Sequence, residues 1–97
     1  MEEEETVLPQ ALTLLGNYPN PFNPSTQLGF AVPSSGRATV RVYNTLGQQV
    51  GVIFDGTAEA GRQYKLSFQA GALSAGTYIY TLEFGGQVLS RKMALVK

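Results

Sequence analysis

The 97-residue chain has no cysteine, no histidine and no tryptophan. Without cysteine there is neither a disulfide framework nor a thiolate metal site, so stability has to come from packing. Without histidine as well, the usual general bases, activated nucleophile pairs and transition-metal ligands are missing. Charge is scarce too, at 14% of residues, with seven acids against seven bases. No apolar run approaches the ~18 residues that would cross a membrane, and no basic-then-apolar signal peptide opens the chain. No glycine pattern follows a strand and opens a helix, which excludes a phosphate cradle. Seven dispersed bases, with tyrosines mostly in apolar stripes, do not make the dense basic face that a nucleic acid needs. Asp55 and Glu59, expected in one loop, are the only pair of acids near each other outside the N-terminus, and solvated loop charges explain them better than a hard cation does. The composition predicts a protein that is not an enzyme and holds no metal or cofactor.

What is present points to many short strands. One domain is the expectation at this length, and the hydrophobic fraction of 43% is that of a folded protein. Eleven glycines and five prolines punctuate the chain. Between them the apolar residues recur with a period of two. Leu28, Phe30 and Val32 form one stripe, Ala38, Val40 and Val42 a second, and Val50, Val52 and Phe54 a third. Tyr64, Leu66 and Phe68 follow, then Tyr78, Tyr80, Leu82 and Phe84. The last stripe is Leu89, Arg91, Met93 and Leu95, where Arg91 interrupts the apolar face. With Leu12 to Leu15 these make seven candidate strands. Asn44-Thr45-Leu46-Gly47 suits a type I turn closed by a glycine at positive φ, and Gly85-Gly86 a two-residue hairpin. Gly56 to Gly61 and Gly71 to Gly76 bound loops, the second carrying Leu73 as a plug for the core. The pattern predicts an all-β, seven-stranded, immunoglobulin-like antiparallel sandwich without a disulfide.

The charges are unevenly placed. Removing Glu2 to Glu5 leaves three acids against seven bases, a net of +4. Residues 1–11 read as an acidic linker remnant of a longer protein, and residues 12–97 as the folded domain. Before the second strand stands NYPNPFNPST, residues 17–26. Each proline removes a backbone donor and pushes the preceding residue to extended geometry, so the stretch cannot be a helix. It is expected to form a rigid corner pinned by Tyr18 and Phe22, with Phe22 buried and Asn20 or Asn23 bonded to backbone groups.

Asn17 with Pro19-Asn20-Pro21-Phe22, then Tyr43 with Gly47, then Gly76 with Tyr78, then Lys92 with Lys97, in that order, resemble the C-terminal sorting domain of type IX secretion cargo, and its type A group in particular. The resemblance spans roughly residues 12–97. It implies a domain without activity of its own, carried at the C-terminus of a secreted protein of certain Gram-negative bacteria. Such a domain passes through the periplasm and is read as an address by the outer-membrane translocon. A cell-surface sortase then cleaves many such domains from their cargo, so the implied partners are a fused N-terminal cargo, the translocon and the sortase. The implied destination is the outer membrane, the cell surface or the medium. The family also ends where Lys97 ends this chain.

Two other readings stay open at this point. Flagellar hook-capping proteins share a related immunoglobulin-like module with a similar PNPF opening, and a small adhesive module also fits a sandwich. Tyr18, Phe22 and Tyr43 are the only candidate platforms for a sugar. The basic terminal strand favours the sorting reading. That strand is expected at a sheet edge, ending freely, with Met93 and Leu95 inward. Lys92, Ala94 and Val96 then face outward with Lys97 at the tip, as the candidate recognition surface. Its unpaired backbone groups would admit an added strand. Alternatively, Arg91, Lys92 and Lys97 only keep the edge soluble.

Overall fold

The computed structural model describes residues 11–97. The expected acidic linker, residues 1–11, therefore lies outside the described residues except for Ala11. Seven strands follow in chain order: β1 (Thr13–Leu14), β2 (Ser25–Ala31), β3 (Gly36–Asn44), β4 (Gln49–Ala58), β5 (Tyr64–Gln69), β6 (Gly76–Phe84) and β7 (Gln87–Leu95). They form two antiparallel sheets, one ordered β1-β2-β5 and the other β4-β3-β6-β7. Among the described residues there is no helix. This is the immunoglobulin-like sandwich that the period-two pattern predicts.

The core is the set of inward stripes. Leu14, Leu28, Phe30 and Val32 from the first sheet meet Val40, Val42, Tyr80, Leu82, Met93 and Leu95 from the second, all buried. Phe30 stacks on Tyr64 with ring centroids 4.9 Å apart and receives Phe54 edge-on at 5.2 Å, geometries that aromatic quadrupoles favour. Leu73 packs onto the core from the loop after β5, as a plug. Tyr80 is the largest fully buried side chain, and its hydroxyl donates to the carbonyl of Leu15 at 2.8 Å. Burial pushes that hydroxyl's pKa up, against the opposing pull of nearby Arg91, so the phenol stays a donor across the neutral range.

Local chemistry explains the turns. Asn44 organises the β3–β4 connection: its Oδ1 accepts from Leu46 N–H at 2.9 Å and Gln48 N–H at 3.0 Å. Its own carbonyl accepts from Gly47 N–H at 3.0 Å. Gly47 sits at φ 82°, where an L side chain is strained. Gly85-Gly86 closes the β6–β7 hairpin, with Phe84 paired to Gln87 and both glycines at positive φ, as a type I′ turn requires.

β4 departs from expectation. Its pairing with β3 slips twice, once between Val40 and Arg41 and again between Val42 and Tyr43. Ile53 and Val50 are the extra residues. A bulge reverses which side the following residues face, so Phe54 opposes inward Val40 while Val52 opposes outward Arg41. Val52 is consequently 50% exposed, and the stripe Val50, Val52, Phe54 does not share one face. β4 also runs on to Ala58. Asp55 and Gly56 are therefore strand residues, and Asp55 is not in a loop with Glu59; it pairs across the ladder with Thr39.

The bulge gives a direct test. Val52→Thr is expected to change unfolding free energy by no more than about 0.5 kcal/mol. Val40→Thr, on the inward face one station away, should cost about 1–3 kcal/mol by burying a hydroxyl without a partner. Urea denaturation of both variants measures the difference; equal losses would mean that Val52 faces the core.

Candidate functional site

Asn17 begins the corner between β1 and β2. It is buried, and its amide donates to Pro19 O at 3.2 Å and to Thr26 Oγ1 at 3.1 Å. The Thr26 hydroxyl donates in turn to Pro19 O at 2.8 Å. The Asn17 Oδ1 is buried without a partner among the described residues. Prolines leave their neighbours' carbonyls without backbone ladders, so these side chains supply the bonds instead. Tyr18 exchanges backbone bonds with Gln27 while its ring is 82% exposed. The ring therefore does not pin the corner; its backbone does.

Phe22 does what the sequence pattern asks of it. It is 1% exposed and lies edge-on to Phe68 at 6.1 Å. Its backbone reaches β7, with Phe22 N–H donating to Ala94 O at 2.9 Å and Val96 N–H donating to Phe22 O at 3.0 Å. Asn20 adds a third bond, its Oδ1 accepting from Ala94 N–H at 3.0 Å. Phe22 and Leu95 thus form a parallel bridge. Asn23 makes no such bond among the described residues; Asn20 is the one that does.

This corrects the expectation for the terminal strand. β7 is an edge strand, with Met93 and Leu95 buried inward and Lys92, Val96 and Lys97 exposed, as expected, while Ala94 is half-buried. It does not end freely. The corner occupies the outward backbone groups of Ala94 and the N–H of Val96, so no added strand can pair there. Arg91, the interruption in the apolar stripe, reaches from β7 to the other sheet and donates through Nε to Leu14 O at 2.6 Å.

The remaining motif residues fall partly around this junction. Gly76, at φ 152°, opens β6 opposite Leu95, and Tyr78 lies opposite Met93. Tyr78 is buried and its hydroxyl donates to Ser74 O at 2.6 Å, holding the loop before β6. Tyr43 is half-buried on the outer face, in one row with Ile79 and Lys92. Gly47 stands apart, in the β3–β4 turn across the sheet. Pro19 and Pro21 are exposed beside Asn20. Thr26 and Arg91 are functional supports that a reading by motif misses; the break in the β7 stripe is the sequence signal for the second.

Electrostatics single out the same edge. Arg37 pairs with Asp55 at 2.5 Å, Arg41 with Glu83, and Arg62 with Glu59 at 3.6 Å. The Glu83 hydrogen bond raises the pKa of Arg41 further. Every acid among the described residues is thereby matched by an arginine. Among the described residues the bases left without an acid are Lys65, Arg91, Lys92 and Lys97, three of them on or just after β7. The same pairing bears on the other readings. Among the described residues no group of three acids gathers for a metal, and buried Phe22 is removed as a sugar platform.

A family profile described as the secretion system C-terminal sorting domain matches residues 17–96. The chain belongs to this family. Comparison with curated proteins and with solved structures finds no match. The family is that of type IX secretion, and its domains are non-catalytic sorting signals that direct export to the cell surface or the medium. Among the described residues no helix is long and apolar enough to cross a membrane. The match begins at Asn17, the residue that opens the corner, so the corner and β7 both lie inside it.

Two outcomes follow for the sorting domain. Phe22→Ala should cost about 3–5 kcal/mol, which for a domain of this size lowers the Tm by more than about 10 °C; differential scanning calorimetry reads it, and an unchanged Tm would show that the corner is not part of the core. Calcium or EDTA should leave the Tm in place, because Asp55 and Glu59 are each engaged by an arginine; a calcium-dependent rise of several degrees would restore them as ligands.

Proposed function

We propose that residues 12–97 act as an address that the type IX translocon reads on the folded domain, with the surface around β7 as the part that is read. The observation that carries this is the junction itself: the PNPF corner and the terminal strand, distant in sequence, are hydrogen-bonded to each other and share one basic edge. Lys92, Ala94 and Val96 lie on the outer side of that edge and Lys97 at its tip. Pro19, Asn20 and Pro21 border it, while Asn17, Phe22, Gly76 and Tyr78 hold it in shape from beneath. Tyr43 extends the outer face, and Gly47 sets the turn that ends β3.

In this reading residues 1–11 are the remnant of a linker to an N-terminal cargo. The cargo crosses the periplasm with the domain attached, and a sortase cleaves within the linker at the cell surface. The domain belongs to the type A group of its family. Its role is wholly one of recognition.

A cargo fusion in a Gram-negative host with a type IX system tests the claim. Reversing Lys92 and Lys97 to glutamate should trap the fusion in the periplasm, as should deleting Met93 to Lys97. The charge-reversed domain itself should keep its Tm to within a few degrees, since exposed charges contribute at most about 1 kcal/mol. Normal surface delivery of the charge-reversed fusion would leave the lysines with only the protection of an edge strand.

A further inference from the structure

The two free edges of the four-stranded sheet are built differently. β4 carries two bulges, which spoil an edge as a template for another strand. β7 pairs with β6 without a slip from Gln87 to Leu95, so its outer side is a regular ladder. Ala94 points its N–H and C=O away from β6, toward Asn20 and Phe22. By the alternation of an antiparallel strand, Lys92, Ser90 and Val88 point theirs the same way. Among the described residues these groups have no protein partner. Val88 is 60% exposed, and a cleft of about 420 Å³ opens between the ladder and the start of the corner, lined by Gly16, Asn20, Ser90, Arg91 and Lys92 among others.

The charges that β7 itself carries are both positive. Lys92 projects from the outer face of β7. Arg91 projects from the inner face, with its guanidinium end over Gly16, where a side chain would come within 3.6 Å of it. β7 carries no acid, and Glu83 on the adjacent β6, which lies opposite Val88, is held by Arg41.

We propose that the Val88–Lys92 edge of β7 accepts an extended acidic segment of a partner protein as an added strand. The proposal rests on β7 being the surface that is read in export, and it supplies the chemistry of the reader. Main-chain bonds to Val88, Ser90 and Lys92 give the affinity, and side chains give the register. Successive residues of an added strand face opposite sides, so two consecutive acids meet Lys92 above and Arg91 below. The corner blocks Ala94, so the added strand stops there and its paired length is about five residues. A second copy of this domain is a poor occupant, because antiparallel pairing of two β7 strands would bring their cations together.

The test uses the 97-residue domain and two capped hexapeptides, acetyl-Thr-Val-Glu-Asp-Val-Thr-amide and the same sequence with two lysines in place of the acids. Amide hydrogen exchange by NMR should slow about tenfold at Ser90 and Lys92 with the acidic peptide and remain unchanged with the basic one. Ser90→Pro removes an outward N–H and leaves the ladder to β6 intact, as proline on an edge strand does; it should abolish the protection and, in the cargo fusion, lower surface delivery about tenfold. Absence of protection, equal protection by the lysine peptide, or protection along β4 instead would overturn the proposal. So would protection that grows with domain concentration in the absence of peptide, which would assign the edge to a second copy. The two claims fail separately. If the fusion is delivered even with residues 12–97 removed, the sorting role falls; if that deletion blocks delivery while Ser90→Pro is delivered normally, only the added strand falls.

Discussion

The burial of Phe22 is the constraint on which the rest depends. A phenylalanine on a proline-rich connector has no ladder of its own to hold it, so it is fixed by what surrounds it: Phe68 on one sheet and the backbone of β7 on the other. Removing its ring from water stabilises the fold by roughly 1.5–3 kcal/mol. The same placement brings two backbone bonds and the Asn20 side chain onto Ala94 and Val96. A packing event in the core thereby decides how much of an edge strand is sealed and how much stays open. Arg91, at the middle of β7, makes the complementary tie between the sheets, on the carbonyl of Leu14.

Most of the architecture was legible in the chain. Strands with one buried face announce themselves by alternation, and Ala38, Val40 and Val42 or Tyr78, Tyr80 and Leu82 are buried as their spacing requires. Asn44 and the Gly85-Gly86 pair marked their turns because turn chemistry is local. β4 misled for a definite reason. A bulge adds one residue without altering composition, so Val50, Val52 and Phe54 keep the look of a stripe after the backbone has turned Val52 outward. The partnership of Phe22 with Leu95 was equally invisible. Nothing in either segment names the other, and only closure of the sandwich brings them together. Tyr18 shows the same limit from the opposite side, since an aromatic beside prolines gives no sign of whether its ring or its backbone makes the attachment.

Charge and packing cooperate in a way that neither shows alone. The three arginine–acid pairs are solvent-exposed or partly so, and pairs of that kind add little stability, about 0–1 kcal/mol each. Their consequence is electrostatic neutrality over most of the surface. Against that background the cations near the end of the chain, unmatched among the described residues, stand out, and the strand that carries two of them has no acid and keeps a regular open ladder. The bulged edge and the straight edge of a single sheet are given opposite treatments: one is made unfit for pairing by its backbone, the other is left fit and is guarded by charge.

The contact between Asn20 and Ala94 joins residues 74 apart in sequence. Contacts of such separation are slow to form, because most of the chain's entropy has to be given up before they contribute anything. Closing so long a loop carries a large entropic cost, so a collapsed chain with most of its strands in place can still lack the junction. On the proposed reading, a partly folded domain carries no address for as long as the sandwich stays open, and the time taken to close it is the interval before recognition.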